Sequence, residues 1–223
     1  MTTVIRKTGG FLMTILVGAM LCSVGARAST VLFSTLGPNN EYDGTDGWLV
    51  NGSNYNNQVM AMPFTLSSGA TVGDAVLALG NFAGGDSPVN VYIESDNSGQ
   101  PGSILTTLSQ VGDIASWFNG SSGGLVTFTC GLPCTLGAGS YWLVALESDA
   151  GTNQAWDFAY QDASGNNAYN FSGSSTGPWY TATQTLSGFR IDAGSSVPEP
   201  NSLVLLGSGL LGFAALVRRR LKS

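Results

Sequence analysis

The chain has 223 residues, a formal net charge of −6 and no histidine. Between Ser29 and Ser196 it holds 13 Asp and Glu residues against one basic residue, Arg190. Affinity for nucleic-acid backbones comes from Lys and Arg, so this composition predicts no nucleic-acid partner. The missing histidine excludes Ser-His-Asp and Cys-His hydrolysis and every histidine-based metal site.

The N-terminal segment, residues 1–28, is predicted to be a signal peptide. Two basic residues precede a short apolar run at 11–24, and Ala26 and Ala28 then form an A-x-A cleavage site. We therefore expect signal peptidase to act here and the exported chain to begin at Ser29.

The exported region, residues 29–193, is predicted to be one all-β domain. Short apolar runs are separated by Gly, Asn, Asp, Ser and Pro, and no window shows helical periodicity outside the two terminal segments. Frequent strands without intervening helices indicate an antiparallel β-sandwich or jelly roll. The predicted strands are 30–34, 59–66, 75–79, 89–94, 104–108, 125–129, 141–147, 155–160, 168–171 and 186–191.

Two cysteines, Cys130 and Cys134, remain after removal of the signal peptide. In an exported protein an even pair predicts a disulfide, here closing a very small loop. A zinc site would need further Cys or His ligands, so neither a metal site nor a cofactor is predicted.

Carboxylates are the remaining source of catalytic chemistry. A glycosidase needs two of them across a cleft, and Glu94 and Glu147 are the best candidates because each closes a predicted strand. The alternative interpretation is two solvated strand ends. We predict that the protein is not an enzyme.

Two polar stretches carry the oxygen ligands that calcium prefers. They are residues 96–99 and residues 157–167, the latter including Asp162 and Asn166. Neither follows EF-hand spacing, and ordinary turn chemistry explains both equally well. Calcium binding stays an open alternative.

Aromatic residues in predicted loops offer flat faces on which sugar rings can stack. The alternative for each is packing into the core. The candidates are Tyr55, Trp117, Phe118, Trp179 and Tyr180.

The C-terminal tail, residues 194–223, has three parts after a short linker. Val197, Pro198, Glu199 and Pro200 form a box that cannot continue a helix or a strand ladder. An apolar run at 203–217 is predicted to span the membrane as a helix. The cluster Arg218, Arg219 and Arg220 is expected to stay on the cytoplasmic side.

This order of parts resembles the PEP-CTERM sorting signal of bacterial surface proteins. The resemblance implies an exosortase-type membrane protease as a partner, cutting near the Pro-Glu-Pro box, and an association with exopolysaccharide production. The central region is also similar to the choice-of-anchor domains of exported bacterial proteins. That similarity rests on residues 58–64, 89–105, 136–144 and 188–191; it supports the fold and implies no activity.

Together these observations predict an exported, surface-directed, non-catalytic structural or interaction protein of the cell envelope or the extracellular polysaccharide matrix. It is expected to be held in the membrane by its tail during transit and then to reside at the cell surface or outside the cell. Two alternatives remain open. One is a carbohydrate- or calcium-binding lectin-like module, and the other is a polysaccharide-acting enzyme that uses paired carboxylates.

Overall fold

A computed structural model describes residues 30–82, 88–117 and 123–194, without the side chains of residues 132 and 133. The predicted signal peptide, the Pro-Glu-Pro box and the predicted membrane helix lie outside these ranges. Within them, no helix is long and apolar enough to cross a bilayer.

The described residues form twelve β-strands and two single-turn 3₁₀ helices, Pro38–Asn40 and Tyr160–Asp162. The all-β prediction is therefore confirmed. The strands are β1 (Val31–Ser34), β2 (Asp43–Asn51), β3 (Val59–Leu66), β4 (Ala70–Asn81), β5 (Val89–Asp96), β6 (Pro101–Val111), β7 (Gly124–Leu136), β8 (Gly139–Glu147), β9 (Asn153–Phe158), β10 (Ser164–Asn170), β11 (Tyr180–Thr185) and β12 (Phe189–Ala193).

These strands make one continuous, curled antiparallel sheet. Its order is β1-β12-β4-β7-β6-β5-β8-β3-β10-β11, with β9 paired to β4 and β2 paired to β9. The long β4 strand exchanges neighbours along its length, since it pairs with β12 up to Leu77 and with β9 from Leu79. The predicted division into the two stacked sheets of a sandwich or jelly roll is not shown by this network.

The main core fills the inner face of the curled sheet. Its largest fully buried side chains include Trp156, Phe64, Phe128 and Phe189. Strand alternation supplies this core, because every second residue of a strand points to the same face. In β8, for example, Leu143 and Ala145 belong to the inner cluster.

A second, smaller cluster lies on the outer face of β3, β8 and β10. Trp142 and Val144 of β8 contribute to it, and Tyr92 and Trp179 pack against it. Trp179 comes from residues 171–179, the connection between β10 and β11, which we call the 171–179 loop. This loop therefore covers part of the outer face, and the candidate site lies beside it.

Candidate binding cleft

A cleft of about 640 Å³ opens between the β5–β6 turn and the 171–179 loop. Asp96, Asn97 and Gln100 line it from the turn, and Thr176 and Trp179 line it from the loop. Its walls combine amides, hydroxyls and one indole, a set that suits a polar ligand with an apolar face.

The turn wall is a tight hairpin connection. The amide of Asn97 donates to the carbonyl of Gln100 at 2.8 Å, and Ser98 and Gly99 both have positive φ (57° and 83°). Two central residues of positive φ form the turn type whose twist matches paired strands. The position of the Asn97 and Gln100 side chains is thus set by the hairpin itself.

Both carboxylate oxygens of Asp96, the residue that precedes this turn, accept hydrogen bonds. Oδ1 accepts a hydrogen bond from Nε1 of Trp142 at 2.8 Å, and Oδ2 accepts one from the amide of Gly99 at 3.2 Å. These hydrogen bonds are accounted for by a turn at residues 96–99, the first of the two polar stretches considered for calcium. Among the residues it describes, no group of three or more acidic or Cys side chains is arranged to hold a metal ion.

The loop wall is held by hydrogen bonds at several points. Nδ2 of Asn170 donates to the carbonyl of Ser174 at 3.0 Å, and the amide of Gly173 donates to the carbonyl of Asn57 at 3.1 Å. Nε2 of Gln100 reaches across the cleft to the carbonyl of Trp179 at 3.4 Å. These bonds fix the loop against the sheet and against the opposite wall, so the cleft is preformed.

Glu94 lies on the outer face of β5, directly opposite Trp142 of β8, and is fully buried. The interpretation of this residue as a solvated strand end is therefore wrong. Burial raises the pKa of Glu94 to about 7, and the nearby Ser175 hydroxyl of the loop opposes that rise. Neither carboxylate oxygen makes a hydrogen bond of good geometry with any residue that the structure describes.

The second candidate carboxylate, Glu147, is at the far end of the same strand pair. It lies opposite Val89, five positions along β8 from the Trp142 that faces Glu94. Five positions correspond to about 16 Å along the strand, yet both side chains border the 171–179 loop, with Glu147 next to Gly173 and Glu94 next to Ser175. Retaining and inverting glycosidases need roughly 5 to 9.5 Å between their carboxylates. The backbone positions of the two glutamates are farther apart than this range, and the 171–179 loop borders both side chains.

The predicted aromatic candidates are scattered. Trp179 lines the cleft, whereas Tyr180 is 55% exposed and packs against Tyr169 with ring centroids 5.7 Å apart. Nε1 of Trp117 donates to the carbonyl of Gly44 at 3.1 Å, which ties that indole into the fold. Tyr55 borders a separate shallow groove, and Phe118 lies outside the described residues.

Cys130 and Cys134 both lie in β7, with Cα atoms 6.3 Å apart and sulfur atoms in contact. This Cα separation is within the range that a disulfide spans. The hydroxyl of Thr106 lies 3.2 Å from the sulfur of Cys134. The geometry is compatible with the predicted disulfide, and the bond itself stays a prediction.

Several predicted sites fall outside the described residues: Ala26, Ala28, Val197, Pro198, Glu199, Pro200, Arg218, Arg219 and Arg220. The second polar stretch is described but dispersed. Asp157 is fully buried in β9, Asp162 lies in the second 3₁₀ helix, and Oδ1 of Asn166 accepts a bond from Thr183. These three residues do not form one site.

Sequence reasoning did not identify Ser175 and Thr176 as candidate site residues. No local signal could have identified them, because the two walls of the cleft are far apart in the chain. They meet through the strand order β5-β8-β3-β10-β11.

Comparison with known protein families identifies the C-terminal tail. Residues 196–220 match the PEP-CTERM protein-sorting motif. This agrees with the sequence interpretation of the tail and indicates an exported protein that is sorted through exosortase. The resemblance of the central region to choice-of-anchor domains is not confirmed, and no curated protein matches the chain significantly.

Proposed function

We propose that the exported domain is a non-catalytic interaction module of the extracellular polysaccharide matrix, and that its cleft binds a saccharide chain. The observation that carries the proposal is the placement of Asn97, Gln100, Thr176 and Trp179 around one preformed cleft. Sugar rings present hydroxyls at their edges and an apolar face, which amide, hydroxyl and indole groups complement.

The charge of the domain restricts the ligand. With one basic residue against 13 acidic ones, the domain repels polyanions. A neutral polysaccharide, or a neutral stretch of one, is the class of ligand that fits the cleft. We propose binding without turnover because the backbone positions of Glu94 and Glu147 are about 16 Å apart along the β5–β8 pair.

The sorting motif supports a final location at the cell surface or in the surrounding matrix. Exosortase processing of a PEP-CTERM tail would leave the domain at the cell surface or in the surrounding matrix, where polysaccharide is the abundant ligand. Before processing, the tail would hold the protein in the membrane.

The test is calorimetric titration of the full chain with the neutral exopolysaccharide of its own producer. A double variant, Asn97→Ala with Thr176→Ala, removes one exposed polar side chain from each wall. Loss of about two hydrogen bonds should weaken binding roughly tenfold or more. The matched control, Asn54→Ala with Thr65→Ala, changes two exposed side chains away from the cleft and should bind like wild type.

Three results would contradict the proposal. Absence of binding by the wild-type chain would exclude the saccharide as the ligand. Equal binding by both double variants would exclude the cleft as the binding site. Release of new reducing ends during incubation would identify an enzyme instead.

A further inference from the structure

Two carboxylates, those of Glu94 and Glu147, lie against the 171–179 loop and lack partners. Neither oxygen of Glu94 makes a hydrogen bond of good geometry with a described residue. Oε2 of Glu147 is also buried without a partner in the part of the chain that the structure describes. A carboxylate shielded from water in this way is costly to ionise, unless a cation or several donors compensate its charge.

The contact at Glu147 involves the first part of the loop. A Cβ atom added to Gly173 would collide with Oε1 of Glu147, so the loop approaches this carboxylate as closely as a glycine permits. Gly173 has a φ of 66°, and its amide donates to the carbonyl of Asn57 at 3.1 Å. This hydrogen bond holds the loop down over the end of β8.

The middle of the same loop covers Glu94, which is fully buried although it lies on the outer face of β5. Residues 95–96 and residues 176–177 line opposite walls of one cleft, which places Glu94 and Ser175 near each other. Ser175 is itself buried, and its hydroxyl interacts with the Glu94 carboxylate. The closed loop therefore separates Glu94 from water.

The groups that face Glu94 offer no positive charge. Tyr92 and Asp96 flank it on the same face of β5, since alternate residues of a strand share a face. Trp142 is its partner on β8, and Ile104 is its partner on β6. Residues 171–179 contain no charged residue. Ionisation of Glu94 would thus place a negative charge near Asp96 and near no cation.

Glu147 has no cation beside it either. Its partner on β5 is Val89, Asn57 lies across Gly173 from it, and Asp149 follows two residues later. Arg190 is the one basic residue between Ser29 and Ser196, and its Nη2 pairs with a carboxylate of β12 at 2.8 Å. The charge of either glutamate is therefore stabilised most readily by water.

We propose that the 171–179 loop is a proton-controlled lid, closed over Glu94 and Glu147 while they are protonated and opened more often once they ionise. Lifting the loop returns an ionised carboxylate to water. The lid also forms one wall of the cleft, and Nε2 of Gln100 bridges the cleft to the carbonyl of Trp179 at 3.4 Å. Opening breaks this bridge, so a rise in pH should speed entry of a ligand. That consequence rests on the proposed function, whereas the lid itself does not.

The direction and size of the effect follow from Glu94. Burial raises its pKa from 4.5 to about 7, and burial also raises the pKa of Glu147. Opening restores the ordinary pKa of Glu94, so the open fraction is lowest below pH 4.5, grows as the pH rises and levels off above about 7. Such a difference multiplies the open fraction roughly a hundredfold between pH 5 and pH 8.5.

The test is hydrogen exchange of the full chain without any saccharide, so failure of saccharide binding leaves its result unaffected. The reporter is the amide of Gly173, and each rate is divided by the intrinsic rate at the same pH. Protection of this amide should fall roughly a hundredfold between pH 5 and pH 8.5. Glu94→Gln should abolish most of the fall. Glu41→Gln, which changes an exposed glutamate, should retain it.

A urea series separates lid opening from unfolding of the whole domain. Opening of a short loop exposes little surface, so low urea should leave exchange at Gly173 unchanged while it accelerates exchange in β3. If Glu94→Gln fails to fold, Glu147→Gln should still reduce the pH effect. Wild-type protection that does not depend on pH, a variant of either glutamate that keeps the full dependence, or the same urea dependence at Gly173 and in β3 would overturn the proposal.

Discussion

Replacing Glu94 by Gln should change the unfolding free energy, relative to wild type, more favourably at alkaline pH than at acidic pH. The substitution keeps the size of the side chain and removes the charge that burial penalises. Any cost of burying the amide without partners is the same at every pH. The pH-dependent part of the difference between variant and wild type therefore reports the ionisation of Glu94.

The magnitude follows from the pKa of Glu94, which burial raises from 4.5 to about 7. A folded-state pKa above the unfolded value means that the folded protein binds the proton more tightly. The contribution of Glu94 to stability is therefore complete below pH 4.5, falls as the pH rises through about 7, and is constant above. The shift corresponds to a loss of about 3 kcal/mol in the unfolding free energy, without discount for solvent because the residue is fully buried.

The assay is urea unfolding of the full chain at pH 4.5 and at pH 8.5, in EDTA, for wild type and variant. The unfolding free energy of Glu94→Gln relative to wild type should be higher at pH 8.5 than at pH 4.5 by about 3 kcal/mol. Glu41→Gln changes an exposed glutamate and should differ from wild type by less than about 0.5 kcal/mol at both pH values. A difference for Glu94→Gln that does not change with pH would refute the reasoning.

Three other outcomes are expected. Unfolded, unreduced exported protein should show no reactive thiol at Cys130 or Cys134, and reducing the bond should cost less than the ~3 kcal/mol of a 15-residue loop; two reactive thiols per chain would exclude the disulfide. Mass spectrometry of protein from native cells should show loss of residues 203–217, and an intact C-terminus on the bulk of the protein would contradict processing. A Glu94→Gln, Glu147→Gln double variant should bind polysaccharide like wild type, whereas abolition of a measured turnover with the fold intact would establish the enzyme alternative.

Strand content was predictable from sequence because it depends on local pattern. Each of the ten predicted strands overlaps an observed one, and β3 has the predicted bounds. Two strands were missed. β2 begins with a run rich in Gly and Asp, which disfavour strands, and becomes apolar only at Trp48. β11 is polar throughout its second half and lies at the edge of the sheet, where no face has to be apolar.

The site was less predictable because it depends on which strands become neighbours. Alternation in β5 places Glu94 on a face of the strand, but it does not reveal that the 171–179 loop and an outer cluster cover that face. For the same reason the burial of Asp157 carried no sequence signal of its own. It follows from the pairing of β9 with an irregular β2.

The pairing of β1 with β12 has a consequence for the order of events during export. Val31, in the first strand, pairs with Asp192 in the last, and the amide of Ala193 donates to the carbonyl of Thr30 at 2.8 Å. The first strand to emerge therefore waits for the last one, and such distant pairings form slowly. The motif at 196–220 follows β12 at once. The sheet can therefore close only after nearly all of the chain that precedes the sorting motif is available for pairing.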